Sequence, residues 1–303
     1  MNLTTKIIKT IDGSYTPIPQ EILKLYNYAK KNRMGYYFLY ILNQRKILPE
    51  QLKEEYLSET QRYHRIINAM TKLTEDLDNA EIEYAIFKSI RPYPSTTVDI
   101  DTIIFNKYRE AYIALRKKGY SKLGCGPETI TLLDPTKTVG IDLYREIAVS
   151  RIIYLDKEKL KPYIMRKKLS NNREAQTLEP EADLITITAH LSIKEQIYTL
   201  ADYYTITYQL KNIDIKKLWK MAETTNLINS LLTVLTLTND IRKNNMDFPQ
   251  KIKLFQIWQI LIEDLRNSKT NKSLAFQTIY MMKISYLKKF TKELIQHVKR
   301  QTY

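Results

Sequence analysis

A single cysteine in 303 residues, Cys125, excludes an internal disulfide framework. It sits in a turn-like Gly124-Cys125-Gly126-Pro127, with no histidine or carboxylate beside it to make it a nucleophile. Three histidines, His64, His190 and His297, offer little with which to build a zinc site. Only six glycines are present, and none form the dense run of a phosphate-cradling loop. No apolar run approaches the ~18 residues of a membrane helix. The amino-terminal Met1-Asn2-Leu3-Thr4-Thr5-Lys6 lacks the basic-then-apolar pattern of a secretory signal. These absences lead us to expect a cytoplasmic protein without a membrane contact, and 44% hydrophobic residues are enough for two packed domains.

Positive charge is what the chain has in excess. The net charge is +15, and it is unevenly divided: residues 1–150 hold 22 Lys+Arg against 18 Asp+Glu, and residues 151–303 hold 26 against 15. A basic carboxy-terminal half suggests a polyanionic partner such as RNA, whose phosphates supply sequence-independent affinity. The competing reading is a lysine-rich solvated surface, because the lysines are dispersed.

Hydrophobic periodicity divides the chain. From Pro19 to about Asn79 apolar residues recur at helical spacing, with Ser58 or Thr60 as candidate caps of a long helix ending near Asn79. Residues 82–150 look mixed, with strands at 82–87, 97–105, 120–123, 128–133 and 138–145 and a helix at 107–118. Beyond Asp156 the pattern is almost wholly helical: one or two helices over 182–210, another opening at 215–221, then 227–244, 249–268 and a basic amphipathic helix at 274–300. Three units are expected: an N-terminal helical region (1–79), an α/β core (80–170) and a basic C-terminal helical domain (171–303), split at the polar stretch Lys167–Glu174. Tyr198, Tyr203, Tyr204 and Tyr208 read as interhelix packing with hydroxyls reaching the surface. A second reading has some of them stacking on a base.

The chemistry-bearing pattern is Phe87-Lys88-Ser89, then eight residues, then Val98-Asp99-Ile100-Asp101-Thr102-Ile103-Ile104-Phe105. Strand alternation puts Asp99 and Asp101 on one face and turns Val98 and Ile100 to the core. A third acid, Asp142, lies in the strand-like Thr138-Val139-Gly140-Ile141-Asp142-Leu143-Tyr144. Three hard oxygen donors suit magnesium and triphosphate chemistry. The rival for Asp142 is a charged edge-strand residue beside Arg145, and for His190 a packed helix residue.

These residues resemble the motif of the nucleotidyltransferase superfamily with the DNA polymerase beta-like fold. Phe87 and Ser89 match its first element, Asp99-Ile100-Asp101 its second and Asp142 its third acid. The layout is also similar to an uncharacterised nucleotidyltransferase-like family. There, N-terminal helices precede a Leu-Lys-Gly-like element, a loop with Arg and Ser (here Arg91 to Ser95), an Asp-Ile-Asp strand, a His-containing helix (Ala189-His190-Leu191) and a Leu-x-Asp (Leu200-Ala201-Asp202). The resemblance covers most of residues 20–220. It implies an α+β fold: a nucleotidyltransferase-like mixed sheet with helices, preceded by N-terminal helices and followed by a helical bundle.

The same resemblance implies transfer of a nucleoside monophosphate from an NTP such as ATP to an acceptor hydroxyl. Asp99 and Asp101 would hold two Mg2+ ions, and Asp142 would complete the second site and accept the hydroxyl proton. Ser89 would contact the β or γ phosphate, Lys88 and Arg91 would balance charge, and Lys194, four residues after His190, would reach the triphosphate. The basic charge makes RNA, such as a tRNA end, the leading acceptor, with a protein acceptor as the alternative; the resemblance also permits a toxin–antitoxin role. One departure motivates a reading from another class. Lys88 stands where the superfamily has glycine, and Pro92 and Pro94 bar the usual phosphate-cradling helix. A catalytically degenerate protein that binds RNA or a protein partner would carry such changes.

Overall fold

The computed structural model describes residues 1–252, apart from 150, 170–172 and 245, and a few positions between 256 and 272. The basic helix expected at 274–300 lies outside the described residues.

A short helix, α1 (Leu3–Ile11), opens the chain, held by the Asn2 side chain accepting from Thr5 N–H. Its nine residues fall before the periodicity that marks the next segment. The helical stretch from Pro19 to Asn79 is three helices: α2 (Pro19–Lys31), α3 (Gly35–Gln44) and α4 (Lys53–Asn79). Residues with positive φ, Arg33 and Lys46, end the first two, as a helix C-terminus commonly requires. Neither Ser58 nor Thr60 caps α4. The helix has already begun at Lys53 behind a 3-10 turn after Pro49, and the Thr60 hydroxyl donates back to Tyr56 O at 2.7 Å.

The mixed region folds as anticipated in outline. It comprises β1 (Tyr84–Ile86), β2 (Asp99–Ile104), α5 (Tyr108–Lys117), β3 (Ser121–Cys125), β4 (Thr129–Leu133) and β5 (Gly140–Tyr144), followed by a small hairpin of β6 (Ile147–Val149) and β7 (Ile152–Leu155). Cys125 is therefore the exposed last residue of β3 and not a turn residue.

After Asp156 the chain is not wholly helical. β8 (Ile164–Lys168) and β9 (Glu174–Leu178) pair with each other, and β9 joins β1 in parallel. The boundary expected between 170 and 171 lies outside the described residues. Arg166, Lys167 and Lys168 hide the strand from a hydrophobicity reading because β8 is an edge strand, where exposed charge is usual. One seven-stranded mixed sheet results, in the order β3-β4-β5-β2-β1-β9-β8.

The helices that follow are α6 (Pro180–Ala189), a π-helical turn His190–Glu195, α7 (Leu200–Gln209), α8 (Ile215–Thr225) and α9 (Ile228–Asn244). Two short strands, β10 (Ile197–Tyr198) and β11 (Gln250–Lys251), pair where the periodicity predicts a helix starting at 249. Tyr198 is fully buried and its hydroxyl meets Thr238 at 2.6 Å, so it does not reach the surface. Tyr208 does, at 53% exposure.

Strand alternation sorts the sheet into two faces. Tyr84, Ile86, Ile100, Ile104, Ile141 and Leu143 pack with Ile66, Met70, Leu73 and Leu77 of α4 and Ala111 and Leu115 of α5. Ala85, Phe87, Ile103 and Tyr144 lie on the opposite face, in the core that includes α6, α8 and α9. α6 is buried along its whole length from Glu181. The faces matter for function because Asp99, Asp101 and Asp142 alternate onto the second one, beneath the π-helical turn.

Candidate active site

Asp99 and Asp101 begin β2 and share a face, as alternation requires. Val98 does not face the core. It is 84% exposed, because the strand starts one residue later and Val98 still belongs to the loop from β1. β2 and β5 are parallel neighbours in a register that sets Asp142 directly beside Asp101 and Gly140 beside Asp99. A carboxylate oxygen from each acid therefore lies within 4.8 Å of the others. β5 is an interior strand between β4 and β2, so Asp142 is not an edge residue, and Arg145 pairs instead with Glu128 at 2.8 Å. Thr131 on β4 donates to Asp142 Oδ1 at 2.5 Å and orients it.

The loop leaving β1 turns sharply at Lys88. Its φ is +48°, in the left-handed region, and Ser89 N–H donates across it to Phe87 O at 2.6 Å, closing a γ-turn. Such a conformation costs a side-chain-bearing residue roughly 1–2 kcal/mol, which is why glycine is favoured there. The contacts of Lys88 offset it. Its N–H donates to Asp183 Oδ1 at 2.7 Å, and its Nζ lies 3.1 Å from Asp101 Oδ1 and 3.2–3.3 Å from both His190 ring nitrogens. The ammonium also lies 5.2 Å from the Phe87 ring centre and 5.5 Å from that of Tyr144.

Ser89 completes the turn. Because Phe87 O is taken by the turn itself, the buried Asp101 N–H donates to Ser89 Oγ at 3.0 Å, continuing the β1–β2 ladder through a side chain.

Electrostatics follow from burying three acids together. Burial first, then the charges of Asp101 and Asp142, push the Asp99 carboxyl up to about 7, against the pull of Lys88 and Lys194. Lys194 donates to the Tyr144 hydroxyl at 3.3 Å, and burial followed by repulsion from Lys88 lowers its pKa. Burial and then Lys88 lower His190 to about 3, so it is neutral at pH 7. Glu195, 3.3 Å from His190 Nε2, is held well below the usual carboxylate range, mainly by that hydrogen bond. The tautomer satisfying both neighbours has Nε2–H donating to Glu195 and Nδ1 accepting from Lys88.

Of the residues anticipated for the site, Asp99, Asp101, Asp142, Lys88, Ser89 and Lys194 come together. Arg91 is seated on α7, with Nη1 donating to Thr205 Oγ1 at 2.9 Å and Nη2 3.6 Å from Asp202 Oδ1. Asp202 also accepts from Thr199 N–H and the Thr199 hydroxyl at 3.0 and 2.6 Å, capping that helix. Two site residues escape a reading of the sequence. Asp183 looks like an ordinary acid in a helix's first turn. Tyr144 does carry a signal, since it follows Asp142 by two and must share its face.

Three carboxylates converging from rigid strands fit a hard divalent cation such as Mg2+. Cation binding requires Asp99 ionised, so affinity is expected to be about tenfold weaker at pH 6 than at pH 8. Calorimetric titration with Mn2+ at the two pH values checks this, and equal affinities would contradict it. Among the described residues, no helix is long and apolar enough to cross a membrane.

No curated protein matches the chain. Residues 19–242, well over half its length, match the model of an uncharacterised nucleotidyltransferase family. With the paired acids, the third acid and the preceding turn assembled on one sheet face, the chain belongs to that nucleotidyltransferase family.

Proposed function

We propose that the chain transfers a nucleoside monophosphate from an NTP to an acceptor hydroxyl, with Mg2+ held by Asp99, Asp101 and Asp142. The convergence of these carboxylates within 4.8 Å on one sheet face carries the reading. Bound there, magnesium would supply Lewis-acid polarisation of the phosphates. The acceptor oxygen bonds to the α-phosphorus as the bond from that phosphorus to the α,β-bridging oxygen breaks, releasing pyrophosphate. Asp142, oriented by Thr131, takes the hydroxyl proton on Oδ2. Lys88 and Lys194 offset the negative charge of acids and phosphates, and Ser89 keeps Asp101 in register.

RNA is the acceptor we favour, because the positive excess of residues 151–303 suits a phosphate backbone. The Lys88–Asp101 ion pair favours a second reading, a non-catalytic RNA- or protein-binding module in which lysine has replaced the metal for good.

The test is incubation with each α-³²P-labelled NTP, Mg2+ and total RNA, beside an Asp99→Ala/Asp101→Ala control. Label passed to RNA only by the intact protein is expected, and label on protein would move the acceptor class. RNA retained equally by both proteins, with no transfer, would establish the binding module.

A further inference from the structure

We propose that this site takes a single divalent cation where the superfamily pattern implies two, because Lys88 Nζ is built into the place of the other positive charge. The inference rests on the metal-dependent function proposed above.

The ammonium is fixed from several directions. The turn at φ +48° aims the side chain, Asp183 anchors the backbone N–H, and His190, itself held by Glu195, meets the Nζ. The rings of Phe87 and Tyr144 flank it. Lys88 and Asp101 side chains are 10% and 9% exposed, so the pair is almost fully removed from water. A carboxylate shared by two cations commonly gives one oxygen to each. Here Asp101 Oδ1 is taken by Lys88 at 3.1 Å, while Oδ2 faces Ser89 Oγ at 3.5 Å.

A second cation would have to expel the ammonium, but among the described residues Asp101 is the one carboxylate in ion-pair contact with it. Leaving it there unpaired is costly. The charge count agrees. Three carboxylates, with Glu195 beside Lys194, face two ammonium groups, Lys88 and Lys194, so one divalent ion already brings the cluster to neutrality before the triphosphate arrives.

The experiment counts Mn2+ retained per protein in equilibrium dialysis at saturating α,β-methylene NTP, with the analogue of each base. The intact protein is expected to retain one ion. Lys88→Met, close in volume, and Lys88→Gly, at ease with the left-handed turn, are expected to retain two, with circular dichroism confirming that they fold. Two ions in the intact protein, or one in both folded variants, overturns the inference and leaves the proposed transfer standing. Retention of neither ion nor analogue by the intact protein overturns both.

Discussion

Replacing Asp101 by alanine is expected to cost both activity and stability, each by a large margin. Transfer should fall about a thousandfold or more, because losing a central cation ligand removes several kcal/mol of transition-state stabilisation, at ~1.4 kcal/mol per tenfold. Stability should fall by roughly 3–5 kcal/mol, because the substitution strands the Lys88 ammonium in a buried site without its counter-charge. The two effects can be separated. Adding Lys88→Met to Asp101→Ala should restore most of the stability and none of the transfer, since an apolar side chain needs no partner.

Asp142→Ala makes the contrast. It should match the loss of transfer yet cost only about 1 kcal/mol, since the contact it gives up is the Thr131 hydroxyl. Urea unfolding beside single-turnover transfer reads both quantities. If Asp101→Ala unfolds like the intact protein, the Lys88 ammonium does not depend on Asp101 for its counter-charge.

The second large effect is expected at Asp183, which reaches the acids only through the turn at Lys88. This buried acid in the first turn of α6 accepts from Lys88 N–H at 2.7 Å and from Gln209 Nε2 at 3.2 Å, tying the β1 loop to α6 and α7. Alanine there leaves the N–H of a strained, half-buried turn without an acceptor, at a cost of about 1–3 kcal/mol. The turn at Lys88 should relax, and the misplaced ammonium should lower transfer roughly a hundredfold, the order expected when a positioned group shifts by about 1 Å.

Asp183→Asn keeps an oxygen acceptor and should recover more than half of both losses. That partial rescue marks a positioning role, since simple core damage would not follow the presence of an acceptor. Equal losses in the Ala and Asn variants would argue against the hydrogen bond.

Several of these features are legible in the chain itself. Asp99 and Asp101 declare themselves because alternation is a local rule, and the apolar run around them makes the strand plain. The helices of 19–79 and 182–244 are likewise legible from periodicity, apart from the π-helical turn and β10 that interrupt the stretch over 182–210. Their breaks at Arg33 and Lys46 are not, because lysine and arginine give no compositional warning of a positive φ. β8 leaves no such mark, since an edge strand needs no apolar alternation. Val98 reads as a core residue but is not one, because the start of β2 depends on where the loop from β1 delivers the chain.

By itself, then, the sequence determined the strand and helix periodicities and the shared face of Asp99 and Asp101, which rest on spacing along one segment, together with the uneven positive charge, which is composition alone, and it offered Asp142 as the third acid through the family resemblance. Tertiary structure alone decided that Asp142 stands beside Asp101, that Arg91 turns to α7, and that Lys88 is held among Asp101, Asp183 and His190. Those pairings join residues up to 114 positions apart, and register and packing between separate elements, with no trace in local pattern, set them.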